Sequence, residues 1–288
     1  MTATLVLAAH GARSGDWESV MASLAGRVRR ARPRSRVELG FLEISSPLLS
    51  DVLAAVPGPV VVVPLLLAGG YHVHIDLPAV VARVRPDAHV AGQLGPHPLL
   101  TSVLARRLAS AGLRPCDAVI LGAAGSSDPA ALEDVRAAAR LLSVRLSRPV
   151  TAAFASAGGP TVAEALDQVR SGPAPRVAIA SYLLAPGLFH SRLADSGADV
   201  VSAPLGVDDD LAALVWTRFD ETCRRALDGA YSGAHDGVHD GVHDGVHGFT
   251  TGLMTGSGAA SEGGSSVPVA TNRRPRRPAG RTKRAAPR

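Results

Sequence analysis

Three short segments of the chain carry side chains that could bind a metal ion or transfer protons. His10 follows the apolar segment "TLVLAA", Glu43 follows "VELGFL", and both His72 and His74 come shortly after "VVVVPLLLAG". Imidazole and carboxylate groups suit borderline divalent ions such as Fe²⁺, Co²⁺, Ni²⁺ and Zn²⁺, and they also accept and release protons. The segments therefore predict a metal-binding or proton-transfer site, provided that the fold brings them together.

The elements that must position these groups follow from the pattern of apolar residues. Continuous apolar strands alternate with helical segments, which is typical of a parallel sheet covered on both faces. The strand-like segments of the first half are "TLVLAAHG", "RVELGFLE", "PVVVVPLLLAG" and "HVAGQLG". Because parallel strands end at the same edge of a sheet, the side chains that follow them are predicted to converge there.

The same series of signals is repeated in the second half of the chain. Three landmarks recur at nearly constant spacing: Gly11 as Gly125, Phe41 as Phe154, and the Leu94 and Gly95 pair as Leu205 and Gly206. The repetition predicts an internal duplication. The expected fold is α/β, with two duplicated doubly wound parallel-sheet lobes at residues 1–115 and 116–229 and a cleft between them that could take a large ligand.

Comparison of the two halves indicates which lobe carries the chemistry. The second half has Ala124 where the first has His10, and Ser156 where the first has Glu43. Neither replacement can take over the role of the group it replaces. The first lobe is therefore predicted to hold the active site, and the second to form a wall of the cleft.

The same comparison bears on the two histidines of "GYHVHIDLP". Aligning "YHVHID" with "FHSRLAD" places His72 opposite His190, whereas His74 falls opposite Arg192. This alignment favours His72 as the metal ligand and makes His190 a group that the second lobe could lend to the site.

Residues 230–288 differ in composition from the two lobes. They contain an HDGV repeat, a Gly/Ser/Thr-rich stretch and an Arg/Pro-rich end, and we expect them to be disordered. The last 17 residues hold eight basic side chains and no acidic one, so the remaining chain has 22 basic and 25 acidic groups. The basic overall balance thus comes from the terminus, and it does not predict a specific nucleic-acid partner. The repeated histidines form a hypothetical metal-gathering arm.

Composition also limits the compartment and the kind of metal site. The two cysteines, Cys116 and Cys223, are far apart and lack CxxC spacing, so neither a disulfide framework nor a thiolate cluster is predicted. The apolar stretches are shorter than the roughly 20 residues of a membrane span. We expect a cytoplasmic protein without a membrane partner, present as a monomer or weak homodimer.

Three motifs, in order, make the chain similar to a known family. "LVLAAHGAR" resembles an HGSR-type opening, "FLEISSP" an FLE-x-x-x-P segment, and "VPLLLAGGYHVHIDLP" a VP-[LF]-L-L-x-x-G-x-H-x-x-x-D-[IL]-P segment. These are hallmarks of the CbiX/SirB sirohydrochlorin chelatases, and "GSSDP" and "YLLAPGLFH" resemble the second lobe of their long members. The resemblance covers about residues 1–225. One departure is Ala12, where the family motif has serine.

The resemblance implies roles for the candidate residues. His10 and His72 would hold the metal at one face of the tetrapyrrole, and Glu43 would accept a proton or act as a third ligand. The metal is a substrate, Fe²⁺ or Co²⁺ with Ni²⁺ as a further candidate. Insertion would need no nucleotide, and the chain lacks a GxxxxGK[ST] loop.

Sirohydrochlorin carries eight carboxylates, which need hydrogen-bond donors and positive charge. The candidates near the predicted site are Arg13, Ser14, Ser45, Ser46 and His190.

The activity predicted from the sequence is that of a lyase, a sirohydrochlorin ferrochelatase or cobaltochelatase of siroheme or cobalamin biosynthesis. The alternative is a non-catalytic metal chaperone or storage protein that uses the same histidines. A metal-dependent hydrolase fits less well, because it usually needs a fuller ligand set.

Overall fold

The computed structural model describes residues 3–70 and 75–236. The first lobe contains four parallel strands in the order β2-β1-β3-β4. Its elements are β1 (Thr4–Ala9), α1 (Gly15–Ala31), β2 (Val37–Phe41), α2 (Leu49–Ala55), β3 (Val60–Pro64), α3 (Leu77–Val84), β4 (His89–Val90) and α4 (Pro98–Ser110). Strand β1 pairs with β2 on one side and with β3 on the other.

The second lobe repeats this arrangement, with four parallel strands in the order β6-β5-β7-β8. Its elements are β5 (Ala118–Ala123), α5 (Pro129–Leu146), β6 (Val150–Phe154), α6 (Val162–Arg170), β7 (Val177–Ser181), α7 (Leu188–Ala194), β8 (Val200–Val201) and α8 (Asp209–Asp236). The predicted α/β class and the duplicated parallel-sheet lobes are confirmed.

Each sheet is covered on both faces, as the burial of its central strands shows. All six residues of β1 are buried. Its side chains alternate between two cores, as the period of a strand requires. Leu5 and Leu7 pack with helices α1 and α4, while Val6 and Ala8 pack with α2 and α3. The first of these cores continues into the second lobe through α5 and α8.

The last helix extends beyond the end predicted for the second lobe. Helix α8 continues to Asp236, although a change of character was predicted at residue 230. A glycine costs a helix about 1 kcal/mol, but an established helix gains a hydrogen bond with each added residue, and here propagation prevails. Residues 237–288, with most of the HDGV repeat and the Arg-rich end, lie outside the described residues. Within the described ranges, no helix is long and apolar enough to cross a membrane.

Two arginines join the lobes in a nearly two-fold manner. Arg107, on α4 of the first lobe, donates to the Leu205 carbonyl oxygen at 2.8 Å. Arg218, on α8 of the second lobe, donates to the Leu94 carbonyl oxygen at 3.3 Å. Leu94 and Leu205 are equivalent in the duplication, so each lobe uses the same kind of contact on the other. This reciprocity is what a self-complementary interface between two copies of one fold produces.

Candidate active site

His10 and Glu43 meet at the carboxyl edge of the first sheet. Ala9 ends β1 and pairs in register with Phe41, which ends β2, so the residues that follow lie side by side. The His10 Nδ1 atom is 3.3 Å from Glu43 Oε1, and the two side chains are 33% and 53% exposed. The imidazole and the carboxylate are therefore in contact and open to a ligand at the edge of the sheet.

Backbone hydrogen bonds between the two chain segments continue beyond the ends of β1 and β2 and hold this pair in place. The Glu43 N–H donates to the His10 carbonyl oxygen at 3.1 Å. Gly11 has a φ of 103°, and a Cβ atom at this position would overlap the Glu43 carbonyl oxygen. Glycine is needed here both for the backbone angle and for the close approach of the two loops.

The third group of the predicted site follows the strand on the other side of β1. Strand β3 pairs with β1, and the Leu65 N–H continues their ladder to the Ala8 carbonyl oxygen at 2.8 Å. The chain reverses its direction of strand addition between β1 and β3, and ligands of open α/β sheets bind at such a point. His72 and His74 themselves lie outside the described residues, so their placement stays a prediction.

The strand register does not reproduce the internal alignment that favoured His72. Val60 of β3 pairs with Thr4, the first residue of β1, and Val177 of β7 pairs with Ala118, the first residue of β5. Val60 and Val177 are therefore equivalent positions in the two lobes. Continued without a gap, this register places Phe189, rather than His190, opposite His72. The His72 and His190 match requires one extra residue in the second lobe, so the duplication alone does not choose between the two histidines of the first lobe.

The second lobe has no equivalent of the paired groups. Ala123 and Phe154 are in register at the ends of β5 and β6, so Ala124 follows β5 where His10 follows β1. The Ser156 hydroxyl donates to the Ala124 carbonyl oxygen at 2.6 Å. The described residues contain no cluster of three or more His, Cys, Asp or Glu side chains suited to a metal ion. A set of three such protein ligands therefore has to include a group outside the described residues, such as a histidine of the segment 71–74 or of residues 237–288.

The predicted donors have different surroundings. Arg13 and Ser46 are exposed, and Ser14 is the N-cap residue of α1. Ser45 differs from its prediction, because it is only 3% exposed and so does not face a ligand. His190 lies in α7 with its Nε2 atom 3.3 Å from the Ser202 carbonyl oxygen, which ties it to its own lobe.

Ser45 instead supports the loop that carries His10. Its hydroxyl accepts from the Ala12 N–H at 3.2 Å and is 3.3 Å from the Ala12 carbonyl oxygen. Replacing it with alanine should lower the free energy of unfolding by about 1 to 2 kcal/mol, because the loop loses its hydrogen-bond partner. Urea unfolding measures this loss. Ser46→Ala is the matched control, and an equal loss there would contradict a specific role for Ser45.

No motif or spacing in the sequence points to Ile44, which is unusual in two ways. It has a φ of 67°, and the Ser45 N–H spans it to reach the Glu43 carbonyl oxygen at 2.7 Å, which fits the strained form of a γ-turn. Its side chain is nonetheless 56% exposed. A β-branched residue in the left-handed region is a genuine outlier, and such strain concentrates at functional sites.

A cavity of about 560 Å³ lies elsewhere between the lobes. Its lining comes from the segment after β4 and from α8 and includes Gln93, Arg218 and Glu221. None of the described residues predicted for the site lines it. His97, nearby, accepts from the Leu99 N–H and is the N-cap of α4. Burial, and to a lesser extent the Arg218 charge, lower the pKa of His97 because they disfavour its protonated form. The neutral imidazole can accept the Leu99 hydrogen bond, so we assign His97 to capping the helix.

Two solved structures share the fold of this chain. SirB from Bacillus subtilis with Fe³⁺ has a TM-score of 0.69 and 22% sequence identity, over 79% of this chain and 98% of that chain. The sirohydrochlorin chelatase SirB from Bacillus subtilis subspecies spizizenii in complex with cobalt has a TM-score of 0.62 and 22% identity, over 77% and 95%. At these identities the likeness defines the fold.

The family follows from the sequence match. The family model described as CbiX matches this chain twice, over residues 4–111 and 118–222. The chain therefore belongs to the CbiX family, as the resemblance of its motifs predicted. A sirohydrochlorin cobaltochelatase from Sulfolobus acidocaldarius is 33% identical over 78 residues, which are 26% of this chain and 62% of that relative.

Proposed function

We propose that this protein is a sirohydrochlorin chelatase that inserts Fe²⁺ or Co²⁺ into the tetrapyrrole without a nucleotide. The contact between His10 and Glu43 at the carboxyl edge of the first sheet carries the proposal. Insertion must strip water from the metal and remove two pyrrole N–H protons. A metal donor and a proton acceptor held side by side and open to a planar ligand suit both tasks.

The geometry of the pair supports a distinct role for each nitrogen of His10. With Nδ1 facing the Glu43 carboxylate, the proton of the neutral imidazole belongs on Nδ1, and Nε2 becomes the nitrogen that donates to the metal. A carboxylate in this position fixes the tautomer and ring orientation of a ligating histidine. As the metal moves from the imidazole to the ring nitrogens, Glu43 would take up one pyrrole proton and release it to solvent before taking up the second.

The identity of the metal rests on the relatives. The Sulfolobus acidocaldarius relative is a cobaltochelatase, and the two SirB structures hold Fe³⁺ and cobalt. Imidazole ligands accept Fe²⁺, Co²⁺ and Ni²⁺ alike. We infer Co²⁺ or Fe²⁺ as the metal substrate, with siroheme or cobalamin synthesis as the corresponding pathway, and we place the protein in the cytoplasm.

The substrate carboxylates would meet donors at the same edge. Arg13 and Ser46 are exposed on the loops that carry His10 and Glu43. Helix α1 begins beside Ser14, and the N–H groups of its first turn favour an anionic ligand. These groups would orient the macrocycle over the metal.

Ile44 would pack its exposed side chain against the apolar face of the macrocycle. Replacing it with glycine should raise the KM for sirohydrochlorin by about fivefold, because roughly 1 kcal/mol of apolar contact is lost. Thermal stability should be unchanged or higher, because glycine relieves a left-handed angle that costs an ordinary residue about 1 to 2 kcal/mol. Steady-state kinetics and thermal unfolding test both statements. An unchanged KM with lower stability would show that Ile44 serves the fold instead.

A single experiment tests the proposed activity. Purified protein is incubated with sirohydrochlorin and Fe²⁺, Co²⁺ or Ni²⁺ in the absence of nucleotide, and the absorption spectrum of the tetrapyrrole is followed. We expect insertion of Fe²⁺ or Co²⁺ to be faster than the uncatalysed reaction. Metal binding without any acceleration would favour the chaperone or storage alternative.

A further inference from the structure

The segment of the first lobe that leads to the two histidines is held by side chains of the second lobe. The Asp134 carboxylate, on α5, accepts hydrogen bonds from the Gly69 N–H at 2.8 Å and from Gln93 Nε2 at 3.1 Å. The Tyr182 hydroxyl, just after β7, donates to the Leu67 carbonyl oxygen at 3.1 Å. We call Asp134 and Tyr182 the clamp, and it holds the backbone at both ends of residues 67–69.

The tyrosine half of the clamp is a fixed donor. Tyr182 is 2% exposed, and Gly95 packs against it so closely that a Cβ atom there would overlap its hydroxyl. Burial, with the Asp134 charge as a lesser cause, raises the pKa of Tyr182 far above its usual value. The hydroxyl therefore keeps its proton and donates throughout the physiological pH range.

The clamp has no counterpart in the first lobe. The residues of the first lobe at the positions of Asp134 and Tyr182 are apolar. The buried residues Met21, Leu24, Ala25 and Val28 of α1 have the same spacing as Val135, Ala138, Ala139 and Leu142 of α5. This match places Val20 at the position of Asp134. The Leu65 and Tyr182 N–H groups make equivalent ladder bonds, to Ala8 and Gly122, so Leu65 stands at the position of Tyr182. Neither valine nor leucine can form a hydrogen bond through its side chain.

The groups of the first lobe that donate hydrogen bonds to the clamp also lack counterparts in the second lobe. The strand register places Pro186 at the position of Gly69, and proline has no N–H to donate. Pro204 precedes Leu205 where Gln93 precedes Leu94. Arg107 and Arg218 occupy equivalent positions in the two lobes, whereas Asp134, Tyr182 and Gln93 have no polar equivalent in the other lobe.

We propose that Asp134 and Tyr182 are positioning residues that fix the backbone of residues 67–69, which leads to the metal-binding histidine of the first lobe. The proposal rests on the proposed function in one respect, namely that a histidine of the segment 71–74 is a metal ligand. Fixing residues 67–69 restricts the backbone just before that segment, so less conformational entropy is lost when a histidine of the segment binds the metal. The second lobe, which lacks its own ligands, would thus contribute to metal binding through the first.

The test compares two carboxylates that both join the lobes. Asp134→Val introduces the residue of the first lobe at the clamp. Asp220→Val is the matched control, because Asp220 pairs with Arg32 at the far end of α1, away from the site. The measurement is a Co²⁺ titration of each full-length variant, followed by the visible absorption of the bound ion. We expect Kd to rise about tenfold for Asp134→Val, in the range of outer-sphere partners of metal ligands, and to stay within about twofold for Asp220→Val.

Further variants separate positioning from a general loss of structure. Asp134→Asn keeps an acceptor for the Gly69 N–H and should restore Co²⁺ binding to within about threefold of the wild type. In the insertion assay, Asp134→Val should raise the KM for metal about tenfold and change kcat less. Should Asp134→Val fail to fold, Tyr182→Phe, which removes only the hydroxyl, decides by the same titration with an expected loss of about threefold.

The outcomes are distinct. Wild-type affinity in Asp134→Val, an equal loss in Asp220→Val, or wild-type affinity in Tyr182→Phe where that variant decides, would overturn the clamp. Wild-type protein that binds Co²⁺ but does not accelerate insertion would refute the proposed function, while the titration would still test the clamp. Wild-type protein without Co²⁺ affinity would refute both.

Discussion

Replacing His10 with alanine is expected to lower kcat/KM for metal insertion into sirohydrochlorin by about 100-fold or more. The substitution removes the proposed metal donor and the partner of the Glu43 carboxylate, which is 3.3 Å away. Loss of a partner that only orients a ligand costs 10- to 100-fold in affinity or activity, and loss of the ligand itself should cost at least as much. The initial rate of formation of the metallated product measures the effect.

The fold should tolerate this change, so the loss would be chemical. The His10 side chain is one-third exposed and follows a strand that is already paired on both sides. Thermal unfolding should therefore shift by only a few degrees. His89→Ala is the matched control, because His89 is an exposed histidine of the same sheet, in register with Val61 near the start of β3. His10→Ala activity within about threefold of the wild type would exclude His10 as a metal ligand.

The convergence of His10 and Glu43 could be predicted because it depends only on topology. Apolar periodicity identifies parallel strands, and parallel strands end at one edge, so the residues that follow β1 and β2 lie at that edge. Because β1 and β2 pair directly, His10 and Glu43 are also neighbours. The direction of the Ser45 hydroxyl could not be predicted in the same way. It depends on the left-handed turn at Ile44, and isoleucine gives no local signal for such an angle.

The clamp was missed for a different reason. In the sequence, Asp134 is one of several charged residues on an otherwise ordinary helix, and such a residue usually faces solvent. Its partners are backbone groups of a distant segment, which carry no signal in the sequence. The duplication nevertheless contained the information, because Val20 stands at the equivalent position in the first lobe. A comparison of the two repeats for polar residues opposite apolar ones includes Asp134, but it also includes Arg136, which stands opposite Ala22.

The choice between His72 and His74 rests on the family motif, since the strand register does not support the internal match with His190. The motif places one histidine three residues after the Gly69 backbone that the clamp holds. That histidine is His72, and a short tether to a fixed backbone limits the positions that its imidazole can reach. His74 is two residues further along and closer to the start of α3 at Leu77.

Replacing His72 with alanine should therefore reduce kcat/KM for insertion by about 100-fold or more, whereas His74→Ala should reduce it by less than about tenfold. Co²⁺ titration should show the same order, because loss of a ligand weakens the complex more than loss of a neighbour does. Combining His72→Ala with Asp134→Val should add little to the Co²⁺ defect of His72→Ala, since the clamp acts through the ligand that is already missing. The reverse order for the two histidines would assign the metal to His74, and additive effects in the double variant would show that the clamp acts on another ligand.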